Sequence, residues 1–305
     1  MTFAAAAGYG NLPNTAWSPI VYSQKVLLSL KKKSVSDEIT NTEFSGEITS
    51  MGDTVKIIKQ PIVTTQVYVR GTVVTPQDLV DEDVTLTIDK GLYTAFYLDD
   101  IENRMAHVDW MDMAADAAAY SLRDAQDVDI LSYMTSGAAS ANTIGSVGTP
   151  ATVGFGSNND FSPLDIINRL ARLLNQANIP MQDRFLVASP AFFEALRKED
   201  SKFIEAQVLG TSQSPLINET MVYTTKIHGF KMYESNNLVT NVGGTYDTIV
   251  AGSRAATATA TSIIKNEVVR STQSFGDINR SLFVYGRNIL RSTALAVAYI
   301  AVGDV

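Results

Sequence analysis

Val84 to Met134 read VTLTIDKGLYTAFYLDDIENRMAHVDWMDMAADAAAYSLRDAQDVDILSYM, and the change of pattern inside this stretch decides the fold. At its start Val84, Leu86 and Ile88 alternate with Thr85, Thr87 and Asp89. A period of two is that of a strand with one buried face. From Asp99 to Met134 there is neither Gly nor Pro, a run of about 36 residues that spans ~54 Å as a helix. Asp99 is placed to cap it, with Glu102 three residues later as an acidic variant of the capping box. Ile101, Met105, Val108, Met111, Ala115, Ala119, Leu122, Ile130 and Tyr133 share one broad face at ~100° per residue. Trp110, Met113 and Val128 lie on another side, and Asp109, Asp116 and Asp127 form a stripe between. Such a helix is to be gripped from two directions. It is longer than compact domains usually carry, and no heptad supports a coiled coil. It reads as a structural spine.

Upstream, residues 48–98 read as strands. Val55, Ile57 and Ile58 precede Pro61, and Val63, Val67 and Val69 alternate with Thr64, Gln66, Tyr68 and Arg70. A polar break follows, containing Pro76 and an acidic cluster, Asp78, Asp81, Glu82 and Asp83. Together these predict a long β-hairpin with a broad, acidic tip. A two-stranded ribbon is marginal alone, so this one needs another surface to lie on. Further upstream, Pro13 and Pro19 break an extended arm, with a short helix between Pro19 and Leu30 and a basic knot at Lys31, Lys32 and Lys33. That knot reads either as a solvated turn or as a contact with a neighbouring subunit or nucleic acid.

Downstream, Gly137 to Asp160 is rich in Gly, Ser, Ala and Thr and reads as a flexible loop and a domain boundary. Ser162–Pro163 then opens a helix with Asp165 in its first turn and Ile166, Ile167, Leu170, Leu173 and Leu174 as its apolar stripe. Arg184–Ala188 (RFLVA) is a short buried strand, and Ser189–Pro190 starts a helix through Phe192, Phe193 and Leu196. Strands are expected at 221–226, 230–233, 248–250, 267–271, 280–285 and 293–302, with a small helix or turn at 253–260. The class is α+β.

Composition excludes much. The 305 residues carry 24 Lys plus Arg against 32 Asp plus Glu, net −8, with no Cys and 2 His. A disulfide framework, a zinc ribbon and a Cys nucleophile are impossible, and multi-His metal catalysis is disfavoured. The acidity argues against a protein whose main task is gripping phosphates. No apolar run approaches the ~20 residues of a membrane span. No secretory signal is visible, which places folding in a cytoplasm.

The search for chemistry returns little. No phosphate-binding loop, zinc-protease helix or nucleophile elbow occurs. Gly154-Phe155-Gly156 begins like a dinucleotide loop, but position 159 is Asn and no strand leads in. Asp81-Glu82-Asp83 resembles the start of a calcium loop, but Leu86 stands where such a loop needs Gly. His107 and His228 read as ordinary hydrogen-bonding residues, and Asp112, inside the spine's apolar face, as a salt-bridged one. No catalytic, cofactor or metal residue is assigned. The charge is uneven: residues 261–305 are locally positive, while hairpin and spine are acidic.

Several ordered patterns also match a known family. They are Trp17–Val26 (WSPIVYSQKV), Gly46–Val55 (GEITSMGDTV), Leu86–Lys90 (LTIDK), Phe96–Glu102 (FYLDDIE), His228–Leu238 (HGFKMYESNNL) and Phe275–Val297 (FGDINRSLFVYGRNILRSTALAV). In this succession the chain resembles the major capsid proteins of tailed bacteriophages, with the Hong Kong 97-type shell fold. The resemblance implies an N-terminal arm (1–45), an extended loop overlapping a neighbour (46–98), a peripheral-domain spine and linker (99–160), an axial domain (161–262) and a return to the peripheral sheet (263–305). It implies pentamers and hexamers closing an icosahedral shell around double-stranded DNA held by weak, non-specific contact, assembled in the host cytoplasm. The chain starts almost at the arm, so a separate scaffolding protein is implied, with a portal. The acidic tip would dock on a neighbour's Arg280, Arg287 or Arg291, or on its Arg197 or Lys198. The competing readings are an encapsulin-type shell, a hydrolase built on Asp109 and Asp112 or Asp99 and Asp100, and a phage fibre or adhesin.

Overall fold

The structure is a computed structural model. It describes residues 34–44, 54–101 apart from 62, 75, 80 and 81, then 110–154, 161–197, 228–240, and 246–302 apart from 273. The elements are α1 (Ser36–Ile39), β1 (Thr54–Lys59), β2 (Glu82–Asp99), α2 (Trp110–Gly137), β3 (Thr143–Ile144), β4 (Ala151–Val153), α3 (Pro163–Gln176), β5 (Arg184–Ala188), α4 (Pro190–Leu196), β6 (Phe230–Glu234), β7 (Asp247–Ser253), β8 (Thr257–Arg270), β9 (Gly276–Ile289) and β10 (Leu295–Val302). They form the predicted α+β mixture around two sheets. A four-stranded sheet has the order β1-β2-β9-β8. A six-stranded sheet has the order β3-β10-β7-β5-β6, with β4 also pairing to β10.

The six-stranded sheet is the centre of a three-layer core. RFLVA has no polar position to offer solvent beyond Arg184, and all five residues of β5 are buried. It pairs in parallel with β6 and antiparallel with β7. Alternate residues divide between two faces. Leu186, Ala188, Ile249, Ala251, Ala296 and Ala298 face α3 and α4, meeting Ile166, Ile167, Leu170, Leu174, Phe192 and Phe193. Phe185, Val187, Val250 and Leu295 face the other way, onto Ile130, Leu131 and Met134 of α2, Ile39 of α1 and Val35 just before it. Each fully buried side chain of this size contributes ~1.5–3 kcal/mol. Helix starts are fixed by the predicted caps. Ser162 and Asp165 form a reciprocal capping box, and Ser189 Oγ accepts the Phe192 N–H at 3.4 Å.

The spine helix extends to Gly137, three residues beyond the expected end. Gly137 suits that end, because a Cβ there would collide with Ile289. The helix is described from Trp110, not from Asp99, which ends β2 with its Oδ1 accepting the Ile101 N–H at 2.8 Å. Residues 102–109, Glu102 among them, lie outside the described residues. Two-sided gripping holds for the C-terminal part of α2. Ile130, Leu131 and Met134 enter the core. On another side Asp129 accepts from Tyr285 Oη at 2.7 Å and pairs with Arg287 at 2.7 Å, and the Arg287 guanidinium lies 4.3 Å from the Tyr133 ring centre. The expected apolar face is not continuous, however. Ile101 and Ala119 of that face are exposed, as are Asp112 and, on the other apolar side, Val128. Among the described acids of the spine, the buried one is Asp127. Its Oδ1 accepts from Ser34 Oγ, Val35 N and Ser36 N at 3.1, 3.1 and 2.8 Å, and its Oδ2 from Asn237 Nδ2 at 3.0 Å. Four donors stand in for a cation, tying the segment before α1 and the loop after β6 to the spine.

Three further readings are corrected. The Gly-rich 137–160 segment is not simply a linker: β3 and β4 lie in it and pair in parallel with β10. Asn142 Nδ2 donates to the carbonyls of Thr293 and Leu295 at 2.8 and 3.1 Å, holding it in place. Residues 254–256 form the expected turn, but Thr257–Ala260 begins β8. Its Ala and Thr side chains suit the tight space against Leu86, Ile88 and Val284. The last strands also part company, β8 and β9 with β2, and β10 with β7. The strand expected at 221–226 and the arm helix lie outside the described residues.

Candidate assembly surfaces

The hairpin is real only at its base. β1 and β2 pair from Thr54↔Thr87 to Lys59↔Glu82. The expected second run, Val63 to Val69, forms no ladder. Its period of two matched a strand, but the returning leg holds Pro76, which has no N–H to give. The legs are instead braced locally. Gln77 Oε1 accepts from the backbone and hydroxyl of Thr64 at 3.0 and 2.9 Å. A turn closes the loop, with Thr72 N donating to Val69 O at 3.1 Å and Gly71 at φ +93°. The loop therefore has no core. Val67 is 92% and Val73 91% exposed, and Ile58, Val63, Val69, Val74 and Leu79 are also exposed. Exposed apolar side chains gathered in one loop in this way point to a binding face.

The acids of the tip are partly answered within the hairpin. Lys59 pairs with Glu82 at 3.1 Å and Lys56 with Asp83 at 3.2 Å. Both pairs are exposed, so each contributes only about 0–1 kcal/mol. Sequence reading missed them because the lysines become neighbours of the acids only through the β1–β2 register. Asp78 and Glu82 line one cleft with Lys59, Gln77 and Arg291 of the same subunit. Asp81, Lys31, Lys32, Lys33 and Lys198 lie outside the described residues. The expected receiving cations have distinct fates. Arg287 is turned inward against Asp129 and Tyr133, so it presents no surface cation. Arg280 is exposed but pairs with Glu267, its Nε 2.8 Å from Oε2. Arg197 meets Glu234 at 3.4 Å. Arg291 is exposed.

A second uncovered surface is the face of the four-stranded sheet turned away from α2. The registers Tyr93↔Leu282 and Tyr97↔Ile278↔Val269 put two apolar groups on it, with Arg280↔Glu267 between them. Tyr93 is 77% exposed, and Tyr97, Leu282 and Val269 are exposed too. Arg280 and Lys265 hold the Glu267 carboxyl below the usual range, Lys265 most strongly.

The junction from β2 into the spine is polar and tight. Asp100 accepts from both ends of the Arg270 guanidinium, which also reaches Asp277 at 3.2 Å. The hydrogen bond from Arg270 holds the Asp100 carboxyl below the usual range. Asp99 Oδ2 accepts from Tyr97 Oη at 3.3 Å. The pair proposed for a hydrolase is thus engaged in structure. Asp109 and His107 lie outside the described residues, and His228 Nε2 sits 2.7 Å from Asn168 Oδ1.

Residues 81–298 match the profile of a family described as phage capsid protein. Comparison with curated proteins finds no match. Among solved structures, the chain is similar to one from Mycobacterium phage Che8, at 24% identity and a TM-score of 0.75, covering 93% of this chain and 97% of that one. It is also similar to the capsid structure of cyanophage P-SCSP1u, at 15% identity, TM-score 0.73 and 94% coverage of each. A third is the asymmetric unit of the bacteriophage PhiM1 mature capsid, at 12% identity, TM-score 0.68, covering 99% of this chain and all of that one. With a two-sheet α+β body, a coreless apolar loop and a family match over most of its length, the chain belongs to the phage capsid protein family.

Proposed function

We propose that copies of this chain form pentamers and hexamers that close an icosahedral shell around double-stranded DNA, with no chemistry of their own. The observation that carries this reading is the apolar loop between β1 and β2. Ile58, Val63, Val67, Val73 and Leu79 are largely exposed on their own subunit, and leaving that surface wet is costly unless a partner covers it. The extended loop (46–98) lies over a neighbouring copy, whose uncovered sheet face at Tyr93, Tyr97 and Leu282 offers apolar area of the right kind. Asp78 and the other tip acids, Asp81, Glu82 and Asp83, steer that docking toward exposed Arg280 or Arg291, with Lys31, Lys32 and Lys33 as a further contact. Individual pairs add little, so cohesion comes from area repeated over every subunit.

The same reading keeps the arm (1–45), the spine and linker (99–160), the axial domain (161–262) and the last strands (263–305) as assembly units, with β8 and β9 in the sheet of β2 and β10 in that of β5 to β7. It adds a scaffolding protein and a portal as partners, assembly in the bacterial cytoplasm and the virion as destination. Negative-stain microscopy of the expressed chain is the test. Closed particles tens of nanometres across are the expected result, and a stable monodisperse monomer under all assembly conditions would sink the proposal. An encapsulin-type shell would differ in holding a cargo enzyme in place of DNA.

A further inference from the structure

Many exposed cations among the described residues face a carboxylate of their own subunit, as at Lys56, Lys231, Arg197 and Arg280. Arg169 and Arg172 of α3 are exposed and have no carboxylate within ion-pair distance among the described residues. They stand one helical turn apart, about 5–6 Å between Cβ atoms. Together they line a cleft with Phe161 and the turn around Gly145 and Thr149. Asp165 borders the same region, but its Oδ2 accepts from Ser162 Oγ at 2.8 Å and Ser162 N at 3.3 Å, as part of the helix cap.

The cleft is preorganised. Phe161 is bound to β4 through Phe161 N to Thr152 O and Gly154 N to Phe161 O, both 3.1 Å. Its ring lies 4.0 Å from the Arg169 guanidinium carbon. Stacking fixes the plane of that guanidinium while leaving its N–H edge free to donate. A lone side-chain carboxylate satisfies one guanidinium fork. Two adjacent forks with no carboxylate partner among the described residues, over a roomy cleft, fit an anion that repeats along a chain. The surrounding protein is net −8, so attraction for a polyanion must be local, as two arginines at one cleft provide.

We propose that Arg169 and Arg172 form a phosphodiester-binding site through which the subunit touches the backbone of the enclosed DNA. This rests on the reading of the chain as a shell around DNA. The experiment compares wild type, Arg169→Gln/Arg172→Gln and Arg169→Lys/Arg172→Lys as full-length, unassembled subunits binding a 20-base-pair DNA duplex across a salt series. The slope of log affinity against log salt should fall by about 2 in the glutamine variant and persist in the lysine variant. Polyglutamate of equal charge should compete poorly. An unchanged slope in a folded glutamine variant, or equal competition by polyglutamate, would overturn the site. So would loss of assembly with the slope intact, which would mean that the arginines meet another copy. Microscopy of wild-type particles in parallel separates failure of this site from failure of the shell reading.

Discussion

The six-stranded sheet and the loop at residues 60–81 are built from the same apolar residue types and end in opposite states. In the sheet, Leu186, Val187, Ile249 and Val250 are fully buried between α3 and α4 on one side and α2 on the other. In the loop, Val63, Val67 and Val73 are 70–92% exposed. What separates them is whether a second layer comes from the same chain. The core is a property of the subunit. The loop, on the proposed reading, is half of a surface whose other half is another copy.

The largest effect should come from the core. Phe192→Ala removes a fully buried ring packed edge-to-face on Phe193 at 6.0 Å. It should cost about 3–5 kcal/mol of subunit stability, read from urea unfolding of unassembled protein. Asp127→Ala comes next. It leaves the N–H groups of Val35 and Ser36 without their acceptor and takes one of two carboxylates from the Asn237 amide, which keeps Asp124 at 2.7 Å, at about 2–3 kcal/mol. Limited proteolysis should show the segment near Ser34 released first.

Loop changes should invert this order of consequence. Val67→Ser with Val73→Ser should shift subunit stability by less than about 0.5 kcal/mol yet slow or abolish particle formation by light scattering. Full-sized particles at the normal rate would break the contrast between the two regions. The smallest effect is at the β2–spine junction. Arg270 lowers the Asp100 pKa in the folded state. The stability from that pair is complete above the ordinary carboxylate value and fades as pH falls through the lowered one. Arg270→Gln should therefore remove a small stability at neutral pH and flatten the acid limb below about pH 4, where variant and wild type converge.

How far the sequence carried can be followed at particular residues. The Ser162 and Ser189 caps were readable because capping depends on residues three apart in the chain. RFLVA was readable because it has no polar alternative. Val63–Val69 misled, since period two is shared by a paired strand and an extended leg with no partner. Asp127 could not be told from Asp109 and Asp116, because its four donors come from residues 34–36 and 237. Arg287 looked like a surface cation until the packing of α2 on β9 brought Asp129 and Tyr133 to it.

By itself the sequence determined the α+β class, a long helix through residues 110–134, the acidic balance and the absence of cysteine chemistry. These follow from composition and from periodicities that are local along the chain. Only the tertiary structure decided which sheet each of the last strands joins, which of the spine's acids is buried, and which apolar residues remain uncovered. Those outcomes depend on contacts between residues far apart in sequence, such as Asp127 with Ser36 and Gly137 with Ile289. No local pattern encodes them, because the same side chain is stable in either place until its partner arrives.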